Sequence, residues 1–363
     1  MIVFLFTFAL SAALTLFVVR LLRHRGAATK DHDCSGPQKV HAKTVARVGG
    51  VAVIGALAAL ALASSWIDAP LARELALLLA CGLPVFAMGL LEDLTKRVSP
   101  VSRLGAAAIS ALLAALVLGT VIDRTDIWGL DWIASTAVGA VLLAVFAVSG
   151  IANAINIIDG FNGLASMCTA MIFFAIAYVA FQVGDVLVFS LALAGAGAVL
   201  GFFVWNYPSG LIFLGDGGAY FIGFLAAQVA LLLLQRNAEV SPLFPLLTCI
   251  YPVFETVFSM YRRRVVRGRA MGMPDGLHLH SLIYRRMLRW AIGREDAAAM
   301  MKRNSRTAPY LWLLSMFAVV PAILFWDNSR VLGLCIVLFA LAYTVLYVKI
   351  IRFKVPGWMV SKR

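Results

Sequence analysis

Residues 133–182 read IASTAVGAVLLAVFAVSGIANAINIIDGFNGLASMCTAMIFFAIAYVAFQ, an apolar run, a short polar interruption and a second apolar run. Each run approaches the roughly 20 residues that a helix needs to cross a hydrocarbon layer. The interruption, Asn153 to Leu164, sets Asn153, Asn156, Asp159 and Asn162 between them. An unsatisfied polar group costs several kcal/mol in hydrocarbon, so these side chains belong at a membrane surface and mark a candidate site.

The pattern recurs along the chain. Apolar runs fall at about 2–22, 48–66, 71–91, 104–122, 133–152, 164–182, 186–204, 218–235, 241–261, 308–326 and 331–350. With 62% hydrophobic and 13% charged residues and a mean hydropathy of +0.91, the composition excludes an ordinary soluble domain, in which roughly 25% of residues are charged. The expected fold is all-α, a polytopic transmembrane bundle of about 11 helices. The N-terminus lacks a basic leader region, and its first run is read as a retained helix. Of the 31 Lys and Arg residues, all but Arg73, Arg124, Arg236 and Arg330 fall on one set of connections if the N-terminus lies outside. The positive-inside rule then places those connections and the C-terminus in the cytoplasm. The charge of +13 is thus assigned to membrane orientation and lipid headgroups, with no nucleic-acid partner expected. Cys34, Cys81, Cys168, Cys249 and Cys335 form no C-x-x-C pair and read as small buried residues. Residues 1–363 form a single membrane domain with inward loops at 23–47, 92–103, 152–163, 205–217 and 262–307.

On this topology the unusual polar residues converge on one face. Glu92 and Asp93 read either as a solvated helix end beside Lys96 and Arg97, or as paired carboxylates for a divalent cation or a proton. Asp216, in Gly215-Asp216-Gly217-Gly218, reads as a helix cap after a glycine turn, or as an acid that brings a metal and a phosphate against the main chain. His278 and His280 lie two apart in a loop rich in arginine, without the Cys or His partners of a structural zinc site. They suit hydrogen bonds to phosphate, with Arg262, Arg263, Arg264, Arg267 and Arg269 supplying an attractive field. Three acidic loci, amides, two histidines and a basic loop fit phosphoryl transfer, in which Mg²⁺ needs only one or two carboxylates and substrate phosphates complete its shell.

These motifs carry a resemblance. KVHAKTVARVGG (Lys39 to Gly50), GLLEDLTKR (Gly89 to Arg97), NAINIIDGFNGLA (Asn153 to Ala165), FLGDGGAYFIG (Phe213 to Gly223), the Glu255 region and PDGLHLH (Pro274 to His280) lie in order over about residues 39–285. In this the chain resembles the polyprenyl-phosphate N-acetylhexosamine-1-phosphate transferases, glycosyltransferase family 4, which include the phospho-MurNAc-pentapeptide translocase.

The resemblance implies transfer of an N-acetylated amino-sugar 1-phosphate from a UDP-sugar to polyprenyl phosphate, here undecaprenyl phosphate, with release of UMP. It implies a Mg²⁺ cofactor, with Mn²⁺ able to substitute, and an active site on the cytoplasmic face of the bacterial inner membrane. Asp216 matches the metal-binding Asp, and Glu92 with Asp93 occupies the paired-Asp motif linked to metal or to the lipid phosphate. Asp159, Asn153, Asn156 and Asn162 fall in the motif lining the nucleotide-sugar site. His278 and His280 match donor-contacting positions, Lys43 a basic residue near the lipid-phosphate entrance, and Glu255 an intramembrane acid that should face a polar cavity. Three departures, Glu92 for Asp, Asn162 for a second Asp and Ser281 for a His, resemble the branch that initiates lipopolysaccharide O-antigen synthesis. Asp93 is the expected group for deprotonating or orienting the acceptor phosphate in a direct displacement. Membrane lipids are expected partners, and a homodimer is an open expectation with no legible interface. The rival class is an ion-coupled transporter or lipid-linked sugar flippase, which would place acidic groups near the bilayer midplane with polar surface on both faces.

Overall fold

Helix starts follow from the polar residue before each apolar run. Asp68, Ser99, Thr136 and Asp185 each accept a hydrogen bond from the backbone N–H three residues on, satisfying one of the unpaired donors of a helix N-terminus. A computed structural model describes residues 1–24, 45–266, 277–288 and 297–352. Its helices are α1 Ile2–His24, α2 Gly49–Ser64, α3 Ala69–Thr95, α4 Pro100–Val117, α5 Leu130–Ala134, α6 Ala137–Ile158 and α7 Leu164–Gln182. They continue with α8 Val186–Asn206, α9 Gly215–Arg236, α10 Leu243–Thr248, α11 Ile250–Tyr261, α12 Leu279–Leu282, α13 Ala297–Leu324 and α14 Ser329–Arg352. Short π-helical turns cover Arg262–Val266 and Ile283–Leu288.

The architecture is an all-α, polytopic membrane bundle. Among the described residues nine helices are long and apolar enough to cross a membrane, and α2, at 16 residues, is shorter. Each expected span maps onto one helix except 241–261, which divides into α10 and α11 at Cys249. Pro252 has no N–H to donate to the carbonyl of Thr248 four residues back, so the ladder opens there, and the Thr248 hydroxyl turns to the Pro245 carbonyl at 2.9 Å. Two boundaries also differ from expectation. α3 runs on to Thr95 and α6 to Ile158, so Glu92, Asp93, Asn153 and Asn156 sit on helix ends rather than in loops. Their backbone groups stay within the helical ladder, leaving the side chains to serve the site.

Small residues set the packing distances. Ser11 of α1 donates to the Ala198 carbonyl of α8 at 2.6 Å, and Gly197 and Gly201 let the α1 backbone lie directly on α8. Close approach of this kind replaces the hydrophobic drive that lipid cannot supply. In α3, Pro84 interrupts the helix, and the Val85 N–H is taken by the Ser110 hydroxyl of α4 at 3.0 Å. The centre of the bundle is α9, buried along nearly its whole length against α2, α3, α4, α6, α7 and α8. Its first turn is where α2 and α3 come closest. A Cβ on Gly50 would strike the Gly218 backbone and one on Gly89 the Gly217 backbone, so glycine at these places is a condition of the contact. At the opposite end of the bundle Trp66, Trp128 and Trp132 are exposed, the placement favoured for amphipathic rings at a membrane interface.

Candidate active site

The site grows from the first turn of α9. Gly215 has φ +80°, in the left-handed region, and a side chain there would collide with the Arg47 carbonyl and the Asp93 carboxylate. This turn lowers the start of α9 onto Asp93, whose two oxygens accept the backbone N–H groups of Asp216 and Gly217, each at 3.0 Å. The carboxylate therefore acts as the cap of a helix whose own preceding residue offers none. Residues 46–50 lie beside 213–214 through Phe213 N–H to Ala46 O at 2.8 Å, Gly49 N–H to Phe213 O at 2.9 Å and Gly50 N–H to Leu214 O at 3.0 Å. That pairing fixes Arg47.

Arg47 bridges the two acids, with Nε 3.2 Å from Asp93 Oδ1 and Nη2 2.7 Å from Asp216 Oδ1. Arg103 of α4 pairs with the other oxygen of Asp216. Asp93 and Asp216 are both buried. One turn further along α9, the Tyr220 hydroxyl donates to Asn153 Oδ1 at 2.8 Å and ties α6 to the cluster. At the end of α6, Asn156 is half-buried and its carbonyl accepts the Asp159 N–H at 3.2 Å.

Asp159 has no hydrogen-bonding partner for its carboxyl among those the structure records, and burial pushes its pKa up from 3.8 to about 8. Arg47 opposes the rise and the like charge of Asp93 adds to it. A carboxyl whose folded pKa lies above its unfolded value favours folding in its protonated form. Its contribution is whole below about pH 4 and is lost as pH rises toward 8. Asp159→Asn should therefore gain thermal stability relative to the parent protein between pH 5 and pH 8.5, in detergent and without substrate. Parallel pH profiles for the two proteins would remove Asp159 as the cause.

The histidine pair approaches from the other side. Buried Glu255 holds His278 Nδ1 at 2.9 Å and the Leu279 N–H at 3.1 Å on one oxygen, and accepts the Tyr343 hydroxyl on the other at 2.7 Å. The rings of His278 and His280 stack 5.1 Å apart, 8° from parallel, and His280 packs on Phe161 at 5.3 Å. Its Nε2 faces Gly160, next to Asp159. Burial pulls the His280 pKa down to about 3, so this ring is neutral at physiological pH.

The remaining expected residues are placed elsewhere. Glu92 turns away from Asp93 and accepts the Val98 N–H at 2.7 Å, closing the α3–α4 turn. Asn162 is buried under its own loop. Its amide donates to the Pro208 carbonyl at 3.0 Å, and its N–H is held by Asn304 Oδ1 of α13 at 2.9 Å. A carboxylate at Asn162 would set oxygen against that carbonyl, which gives Asn at this position a structural reason. Lys43 lies outside the described residues. In the sequence Arg47 and Arg103 read only as orienting charge, and nothing there marks Asn304 or Tyr343. The signal available for Arg47 is its place two residues before Gly49 and Gly50, a pair that marks backbone approach.

The charges of this cluster balance. Two arginines face two carboxylates, and Asp159 is held toward its neutral form, so a diphosphate entering here would bring uncompensated negative charge. Among the described residues no group of three or more His, Cys, Asp or Glu could cage a metal. The donor set therefore fits Mg²⁺ held by few protein ligands and completed by substrate phosphates, and does not fit a resident protein-caged ion.

Comparison with known proteins gives the same direction. Residues 75–234 match the family model described as glycosyl transferase family 4. The chain is 31% identical over 250 residues to a probable undecaprenyl-phosphate N-acetylglucosaminyl 1-phosphate transferase of Bacillus subtilis, covering 67% of this chain and 66% of that protein. It is 26% identical over 279 residues to an undecaprenyl-phosphate alpha-N-acetylglucosaminyl 1-phosphate transferase of Thermotoga maritima, covering 77% of this chain and 81% of that protein. With a phospho-N-acetylmuramoyl-pentapeptide-transferase of Streptococcus thermophilus the identity is 34% over 142 residues, 39% of this chain and 42% of the relative.

Proposed function

The chain belongs to glycosyl transferase family 4 and is a multi-pass membrane transferase, and from that premise we propose that it transfers an N-acetylated amino-sugar 1-phosphate from a UDP-sugar to a polyprenyl phosphate, releasing UMP. The observation that carries the reading is the quartet of Arg47, Asp93, Arg103 and Asp216 at the start of α9, flanked by Asp159 and the histidine pair. Such an arrangement suits a reaction between two phosphates, because it offers guanidiniums in fixed positions and acids that hold them there. It does not resemble a transport path, since Asp93, Asp159 and Asp216 gather at one end of the bundle around the start of α9.

In this reading an oxygen of the acceptor phosphate attacks the sugar-linked phosphorus. The new P–O bond forms as the bond to the UMP oxygen breaks, and UMP leaves with the electron pair. Arg47 and Arg103, held by the acids, present their remaining N–H groups to phosphate oxygens and hold acceptor and donor in line, so that much of the rate comes from positioning and charge neutralisation. Asp93, with both oxygens engaged by N–H groups and by Arg47, orients rather than attacks, and this favours direct displacement over a covalent phospho-sugar enzyme. Asp216 would hold Mg²⁺, which when bound supplies positive charge for the diphosphate and the leaving UMP. In this reading the site faces the cytoplasm, an orientation that the distribution of Lys and Arg supports.

The product initiates a lipid-linked envelope polysaccharide, and we assign it to lipopolysaccharide O-antigen on the strength of Glu92, Asn162 and Ser281. A panel of UDP-N-acetylglucosamine, UDP-N-acetylgalactosamine and their 6-deoxy relatives, offered with undecaprenyl phosphate and scored by UMP, tests the reading. Mg²⁺-dependent UMP release from at least one donor is expected, and none from UDP-MurNAc-pentapeptide. Release only from the pentapeptide donor would move the enzyme to peptidoglycan synthesis, and no release from any would defeat the transferase reading.

A further inference from the structure

We infer that Tyr343, on the carboxy-terminal helix α14, is a positioning residue for the nucleotide-sugar site, acting through Glu255 on His278. The inference rests on the transferase reading above and extends it to a helix far outside residues 75–234, the stretch that matches the family.

Three donors converge on the Glu255 carboxylate, namely the Tyr343 hydroxyl, the Leu279 N–H and His278 Nδ1. An ionised carboxylate only accepts hydrogen bonds, so Nδ1 of His278 carries its hydrogen toward Glu255 and Nε2 is the ring atom left for a substrate. Tyr343 fixes the second oxygen of the acid. Without that bond the carboxylate could rotate about its side chain and the imidazole would lose its fixed plane. The three side chains are all buried, Tyr343 fully and Glu255 at 1% exposure, so water offers no replacement bond.

The neighbouring contacts act on the same segment. Tyr347, one turn beyond Tyr343, donates to the Leu277 carbonyl at 3.2 Å, and Arg262 donates to that carbonyl at 2.7 Å while lying over the Tyr347 ring. Tyr343 itself packs edge-on against Phe254 and Phe258 of α11. α14 thus straps residues 277–279 against α11. Through the stacked His278 and His280 rings, the strap reaches Phe161 and the loop that carries Asp159.

Tyr343→Phe keeps the ring and its packing and removes only the hydroxyl. With purified full-length protein, UDP-N-acetylglucosamine (or whichever donor the panel selects) and undecaprenyl phosphate, kcat/KM for the UDP-sugar should fall about tenfold, the order lost with one hydrogen bond to a charged group. KM for undecaprenyl phosphate should stay unchanged, while the thermal midpoint in detergent should fall slightly, as one buried hydrogen bond is lost. In a His278→Ala background the same substitution should cause no further loss, because the residue through which it acts is gone. Glu255→Gln, which preserves the volume, should show the same donor-specific fall and covers the case in which Tyr343→Phe folds poorly. An active parent protein whose Tyr343→Phe variant keeps its donor kinetics, or whose losses multiply with His278→Ala, overturns the inference alone. A parent protein that releases no UMP from any donor overturns the transferase reading and this inference with it.

Discussion

Asp216→Asn should lower UMP release by about a thousandfold or more while the protein still folds into the same bundle. Removing one preorganised charge-stabilising group typically costs about 10²–10³ in rate. Asp216 adds to that by serving two arginines and by being the acid that would hold Mg²⁺. Asn keeps the volume and one acceptor oxygen but removes the charge that Arg47 and Arg103 share, so the thermal midpoint should fall modestly without loss of the fold, and the loss of rate should appear in kcat. The checks are UMP release across a Mg²⁺ titration and a melting curve in detergent. Activity within tenfold of the parent, at any Mg²⁺ concentration, would exclude Asp216 from the metal role.

Arg47→Ala should both inactivate and destabilise the protein. Its removal leaves Asp93 and Asp216 close together with one guanidinium fewer, and stripping the partner from a buried carboxylate costs about 3–5 kcal/mol. The Arg47 side chain is 30% exposed, and solvent screening brings the expected loss toward about 2 kcal/mol. Arg47→Lys separates the two effects. A lysine supplies the charge as a point but cannot span two carboxylates with Nε and Nη2 as the planar guanidinium does. It should recover most of the stability and little of the activity, with KM for the acceptor raised. A lysine variant that works like the parent would reduce Arg47 to a charge without geometric importance.

The legibility of the site varies with the kind of interaction involved. Polar residues that interrupt apolar runs were readable because each is costly where it stands, and Asp93, Asp159, Asp216, His278 and His280 stood out in this way. What each does with its oxygens or nitrogens was not readable. Glu92 and Asp93 are adjacent in sequence, yet one closes a local turn through Val98 and the other caps α9, because neighbouring residues on a helix point about 100° apart. Asn162 read as a donor-loop side chain, and its amide instead faces the Pro208 carbonyl. Arg47 and Arg103 were hidden among many arginines and lysines that orientation alone explains.

By itself the sequence determined the class of protein, the spans of nearly all its helices and the set of costly polar residues, because hydropathy and capping act within one turn or one membrane crossing. The split at Cys249 shows the limit, since Pro252 opens the ladder within an apolar run of membrane length. The tertiary structure alone decided the pairings. Arg47 meets Asp216 across 169 positions and Tyr343 meets Glu255 across 88, separations that no local periodicity encodes. Those meetings depend on how closely helix backbones approach. That in turn rests on Gly50, Gly89, Gly217 and Gly218, where the absence of a side chain lets α2 and α3 lower their polar ends onto the start of α9.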